Sequence, residues 1–120
     1  MSKTTVVIGA SPDPSRYSNM AVLRLTEHGH TVYAVGMRGG KIGETDITTD
    51  RPIWSNIDTV TLYVGPQNQA VWQEYILSLK PKRLVFNPGA ENPALFKAAT
   101  AKGIECVDAC TLVMLSVGNY

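Results

Sequence analysis

Histidine and cysteine are scarce in this chain, two of each among 120 residues. Cys106 and Cys110 are too few and too close in sequence for a secreted disulfide framework, and no Cys or His cluster has zinc-ligand spacing. They read as buried thiols of a reducing compartment, with no metal site. An excess of charge is missing too, since 11 Lys and Arg stand against 10 Asp and Glu, a net charge of +1. That removes any global electrostatic case for nucleic acid or an anionic membrane, so an anion site has to be local. No apolar run approaches the roughly 20 residues of a membrane span, and no cationic stretch precedes a short apolar one at the start. Repeats, low-complexity segments and linkers are also lacking. The expectation is a cytoplasmic protein of one domain over residues 1–120.

What is present is an alternation of β-branched runs and helical patterns. Thr4 to Ile8 is β-branched throughout and ends at Gly9, which suits a central strand buried on both faces. Ser18 or Asn19 can cap a helix running to about His28, with Met20, Val22, Leu23 and Leu25 as apolar positions and Gly29 as its stop. Thr31 to Val35 is a second strand, which completes a βαβ unit with parallel strands. Gly36 to Asp50 is rich in Gly and Thr and reads as an irregular loop. Pro52 to Ile57 is a short connection, and Thr59 to Val64 a third strand stopping at Gly65-Pro66. A helix starts at Pro66 or Gln67 and carries Val71, Trp72, Tyr75, Ile76 and Leu79 at helical spacing until Pro81 prevents continuation. Arg83 to Phe86 is a fourth strand. Asn92-Pro93 starts a helix to Lys102, because Asn accepts from the first free N–H groups and proline has none to leave unpaired. Ile104 to Val107 is a fifth strand, and Thr111 to Ser116 a terminal helix or extended tail.

This succession predicts an α/β fold, a doubly wound Rossmann-like parallel sheet of about five strands in the order 3-2-1-4-5. Ligands of such sheets sit beyond the carboxyl ends of the strands, beside the first. Four loops therefore matter: Gly9 to Asn19, Gly36 to Gly43, Gly65 to Gln67 and Asn87 to Glu91. The first of them brings Gly9, Ala10 and Ser11 to the start of a helix, whose free N–H groups favour an anion.

The loops also narrow the ligand. A dinucleotide fingerprint needs three spaced glycines and a ribose-binding carboxylate about 20 positions on. Here Gly9 stands alone, and the second strand ends in Gly36-Met37-Arg38. An arginine at that place favours a ligand with an additional ribose phosphate, as in coenzyme A or NADP. Gly36 to Ile42 contains Gly40-Lys41 but neither the spacer nor the Ser or Thr of a nucleoside triphosphate loop.

The runs VIGASPDPSRYSN, VYAVGMRGGKIG, LVFNPGAEN and GIECVDAC resemble those of the stand-alone CoA-binding domain proteins, relatives of the N-terminal domain of the succinyl-CoA synthetase α subunit. The similarity extends from Thr5 to about Leu112. It implies that the backbone of Gly9, Ala10 and Ser11 and the side chains of Arg16 and Ser18 meet the phosphates. It also implies that Arg38 lies near the ribose phosphate and that Val64, Gly65 and Pro66 flank the adenine. The expected function is binding of CoA or an acyl-CoA without catalysis, to sense it or to present it to a protein partner that the sequence does not identify. Two other readings of the fold stay open: an NADP-binding module of redox type, and an interaction protein with an empty cleft.

Other chemistry-bearing residues have plainer readings. Lys41 is a loop cation that solvation alone explains, and His28 and His30 flank a helix C-terminus, where an imidazole suits the dipole. Trp54, Trp72 and Tyr75 are expected in the core. Glu91 and Asp108 stand at strand ends facing the cleft, where a lone carboxylate caps a loop or helix more often than it acts as a base.

Overall fold

In the computed structural model, which describes residues 2–120, the first apolar run forms strand β1 (Thr5–Ile8), with all four side chains shut off from solvent. The chain continues through α1 (Tyr17–Glu27), β2 (Val32–Val35), β3 (Gly40–Ile42), β4 (Thr45–Thr48) and β5 (Thr59–Leu62). It then forms α2 (Ala70–Ser78), β6 (Arg83–Phe86), α3 (Pro93–Ala101), β7 (Glu105–Asp108) and α4 (Thr111–Val117). Alternation along β1 sends Val6 and Ile8 into a core shared with Trp72 and Ile76 of α2 and Leu95 and Ala99 of α3. Val7 points the other way, into a core with Val22 and Leu25 of α1 and Leu115 of α4. A strand covered by helices on both faces needs apolar side chains on both, which is why β1 is β-branched throughout.

The described strands form one sheet of seven in the order β3-β4-β2-β1-β5-β6-β7, parallel except for the β3–β4 pair. This corrects the sequence reading in count and order. The segment read as the third strand lies beside β1, as β5, and the place outside β2 belongs to β4, in a stretch read as an irregular loop. With β4 counted as the third parallel strand, the order is 3-2-1-4-5-6, the expected pattern with one strand more. β3 and β4 form a hairpin about Gly43-Glu44, with Gly43 at φ +59 as a two-residue hairpin turn requires. Lys41 pairs across this hairpin with Asp46 at 3.2 Å, both exposed.

Two helix starts also differ. α1 begins after Arg16, with no side-chain cap, because Ser18 and Asn19 are already buried within its first turn. The helix expected from Pro66 is divided into a 3₁₀ turn, Pro66–Asn68, and α2, which starts at Ala70. Asn92 caps α3 as expected, its Oδ1 accepting from the Leu95 N–H at 3.2 Å. The C-terminal segment is helical, closed by Gly118 at φ +77.

Candidate functional site

The turn after β1 is wedged between its neighbours at backbone contact. Gly9 has φ +91, and a Cβ there would stand 2.7 Å from the Tyr63 carbonyl oxygen at the end of β5. On the other side, a Cβ on Gly36 would stand 2.3 Å from the Ala10 carbonyl oxygen. Glycine is needed at both places because two strand ends close onto one turn. The N–H groups of Gly9 and Ala10 both donate to the Val35 carbonyl at 3.0 Å, which ties the turn to β2. Asn19 of α1 completes the bracing, its Nδ2 donating to the Ser11 carbonyl at 3.0 Å.

Beyond this turn opens a cleft of about 620 Å³ above the carboxyl ends of β1, β2 and β5. Ser11, Arg16, Tyr17 and Ser18 line one side, and Met37 and Arg38 continue it from the end of β2. Tyr63, Val64 and Gly65 line the β5 side, and Pro88, Gly89 and Ala90 the β6 side. Two buried amides hold these walls in register. Gln69, fully buried, donates through Nε2 to the carbonyls of Val64 at 2.7 Å and Ala90 at 2.6 Å. Its Oε1 accepts from Asn92 Nδ2 at 3.0 Å, so both loops are linked to the start of α3. Asn87, also buried, donates to Thr61 Oγ1 at 2.7 Å and the Leu62 carbonyl at 3.0 Å, and accepts from the Thr111 N–H at 2.9 Å. That bond joins the end of β6 to the start of α4.

The charge of the site is cationic. Among the described residues no Asp or Glu lines the cleft, while Arg16 and Arg38 both do. Asp13 stands near the two arginines, and its carboxylate is engaged by the Ser15 N–H at 2.9 Å and hydroxyl at 2.8 Å. Those bonds from Ser15, with Arg16 and Arg38 adding to them, hold Asp13 below the ordinary carboxylate range. The Tyr63 hydroxyl is buried without a hydrogen-bond partner, and burial pushes its pKa far up, so it stays protonated. Hydroxyls, guanidinium groups and an uncapped helix start, with no lining carboxylate, are the donor set that phosphate groups need.

A family model described as a CoA binding domain matches residues 3–116. The chain belongs to the CoA-binding domain family. The resemblance read from the four sequence runs therefore holds over nearly the whole chain. A crystal structure of an uncharacterized protein is 48% identical, covers 100% of this chain and 99% of its own, and superposes with a TM-score of 0.97. A hypothetical protein from Pyrococcus horikoshii OT3 is 25% identical with a TM-score of 0.86, over 97% of this chain and 83% of its own. A Thermus thermophilus structure, at 24% identity and a TM-score of 0.86 over 99% of this chain and 91% of its own, shares the fold. No curated protein matches the chain.

In this CoA-binding domain the structure gathers Gly9, Ala10, Ser11, Arg16, Ser18, Arg38, Val64 and Gly65 around one cleft. Pro66 is outside that lining, as the first residue of the 3₁₀ turn. Gly9 and Ala10 reach the cleft with their N–H groups already committed to Val35, so they shape its floor, and Ser11 is the residue of the three whose N–H makes no bond to another backbone group. Pro12, Ser15, Tyr17, Met37 and Pro88 to Ala90 also line the cleft and belong to loops read from the sequence without being singled out there, whereas Tyr63 lies outside those loops. Glu91 accepts from the Gly89 N–H at 2.8 Å and so braces its own loop. Asp108 lies in a separate hollow of about 270 Å³ with Glu91 and Lys97. Both cysteines are free, and burial pushes the Cys106 thiol up, away from the reactive thiolate. Among the described residues no group of His, Cys, Asp and Glu could hold a metal ion, and no helix is long and apolar enough to cross a membrane.

Proposed function

We propose that the cleft binds coenzyme A or an acyl-CoA, and that the protein senses this ligand or presents it to a partner without carrying out chemistry on it. The observation that carries the reading is the convergence of Arg16, Arg38, Ser11 and the uncapped start of α1 on one cleft of a CoA-binding domain. Arg38 is the natural partner of the ribose phosphate, because guanidinium pairs two N–H donors with phosphate oxygens. Arg16, Ser18 and the first turn of α1 take the diphosphate.

Thermal denaturation with CoA, acetyl-CoA, dephospho-CoA, NADP and NAD tests the reading. CoA at about 100 times its dissociation constant should add about 2.7 kcal/mol of stability. Arg38→Ala should weaken CoA by roughly tenfold, about 1.4 kcal/mol, and leave dephospho-CoA nearly unchanged. A response to NADP alone would replace the proposal with an NADP-binding module, and no response to any member of the panel would favour an interaction protein.

A further inference from the structure

One residue holds the loop between β1 and α1 together. Pro12 and Pro14 have no N–H to offer, and the three other N–H groups from Pro12 to Arg16 all make bonds that involve Asp13. The Asp13 N–H donates to Ser11 Oγ at 3.1 Å, and the Arg16 N–H donates to the Asp13 carbonyl at 3.1 Å. The Ser15 N–H and hydroxyl both donate to Asp13 Oδ1, at 2.9 and 2.8 Å. Pro12 packs against the start of β3, where a Cβ on Gly40 would stand 3.0 Å from the proline Cβ. The loop therefore has no N–H of its own left for an anion, unlike a glycine-rich cradle whose backbone donors point at phosphate. Donors to an anion come from either side of it: the N–H groups of Ser11, Tyr17 and Ser18, which bond to no other backbone group, and the side chains of Arg16 and Arg38.

The residue that orders these donors carries a charge of the wrong sign for their ligand. Asp13 is exposed, lies outside the lining of the cleft and, among the described residues, forms no ion pair, yet its carboxylate stands near both arginines. We infer that Asp13 is the positioning residue of this turn and at the same time a brake on phosphate capture. Its oxygens fix where Ser11 and Arg16 stand, and its charge weakens the hold of the site on an anionic ligand. This rests on the proposed CoA-type ligand and assigns how its affinity is set. A sensor or a carrier has to release what it binds, and a fixed like charge beside the arginines favours release without removing any donor.

Titration calorimetry of the wild type, Asp13→Asn and Asp13→Ala with CoA and adenosine 3′,5′-bisphosphate, at low and at high salt, separates the two roles. Asparagine keeps an oxygen for Ser15 and loses the charge, whereas alanine loses both. Asp13→Asn should bind both probes roughly threefold more tightly than the wild type at low salt and equally at high salt, because salt screens a charge acting through solvent. Asp13→Ala should bind roughly fivefold more weakly than Asp13→Asn at either salt, as expected for loss of the bonds of the turn. Without ligand, amide exchange at Ser15 should be faster in Asp13→Ala and unchanged in Asp13→Asn. If the wild type binds CoA and the two variants bind alike, the positioning role is wrong. If Asp13→Asn is no tighter than the wild type at low salt, the brake is wrong; the CoA reading stands in both cases. If the wild type binds neither probe, the CoA reading and the brake fall together, and exchange at Ser15 decides the positioning role by itself. Asp13 and Ser15 are exposed, so loss of folding does not confuse the outcome.

Discussion

Gly9 and Gly89 have nearly the same φ, +91 and +93, but different surroundings. An added Cβ at Gly89 meets nothing within 4 Å, whereas at Gly9 it would stand 2.7 Å from the Tyr63 carbonyl oxygen. Gly89→Ala therefore carries only the strain of a positive φ, about 1 kcal/mol. Gly9→Ala carries that strain and also has to push two strand ends apart, for a total of roughly 2–3 kcal/mol. Urea denaturation of the two variants reads the difference directly. Equal losses would mean that conformation alone dictates glycine at the first turn, and that the close approach of β5 does not. The same contrast explains what the turn contributes to binding. Its glycine positions a rigid floor, while the cations and hydroxyls that the proposed function assigns to phosphate belong to Ser11, Arg16, Ser18 and Arg38, which line the cleft.

At the scale of elements, the walls of the cleft depend on Gln69. Replacing it with leucine keeps the volume but leaves the carbonyls of Val64 and Ala90 without their donor. Each unpaired buried acceptor costs about 1–3 kcal/mol, so Gln69→Leu should destabilise by roughly 3 kcal/mol. It should also speed amide exchange at Leu95, because Asn92, which caps α3, loses its own acceptor in Gln69. Destabilisation without faster exchange at α3 would show that the two loops are held independently. No such role was legible in the sequence, where Gln67, Asn68 and Gln69 are three similar amides in a polar turn; burial of the third follows from the two loops that close over it. The β3–β4 hairpin was hidden for a related reason. Its strands are short and half polar, pairing at a sheet edge where one face remains in water, so they lack the apolar run that announced β1. The central strands and the cap of α3 were legible because burial on two faces, and an Asn-Pro helix start, each permit few residue types. Tyr17 and Met37 could be read as residues of the right loops, but exposure within a cleft exists only after folding.

At the scale of the whole molecule, the amino-terminal ends of the strands, opposite the cleft, gather distant parts of the chain around Tyr120. Its hydroxyl and Thr5 Oγ1 are 2.7 Å apart, its carbonyl accepts from Lys3 Nζ and Arg83 Nη1, and His30 packs edge-on at 5.0 Å between ring centres. His30 Nδ1 accepts from the Lys3 N–H at 2.9 Å, a bond that a protonated imidazole cannot make in that sense. Burial lowers the pKa of His30 below its ordinary 6.5, and His28, Lys3 and Arg83 repel the charged form further. The unfolded chain therefore takes up this proton at a higher pH than the folded one. Stability from neutral His30 is fully present above the unfolded pKa of about 6.5 and is lost as pH falls through the lower folded value. The Asp13 carboxyl shifts in the acid range, below 3.8, and stays out of this window. Between pH 8 and 5 the wild type should thus become steadily less stable in urea denaturation. His30→Asn, which retains an acceptor and cannot titrate, should remove that part of the slope. A wild-type slope that survives the substitution would assign the loss to another group. Because His30 lies at the amino-terminal ends of the strands, opposite the cleft, the proposed binding of CoA should be the same in the variant and the wild type at pH 7.5, which separates acid sensitivity of the fold from any effect at the cleft.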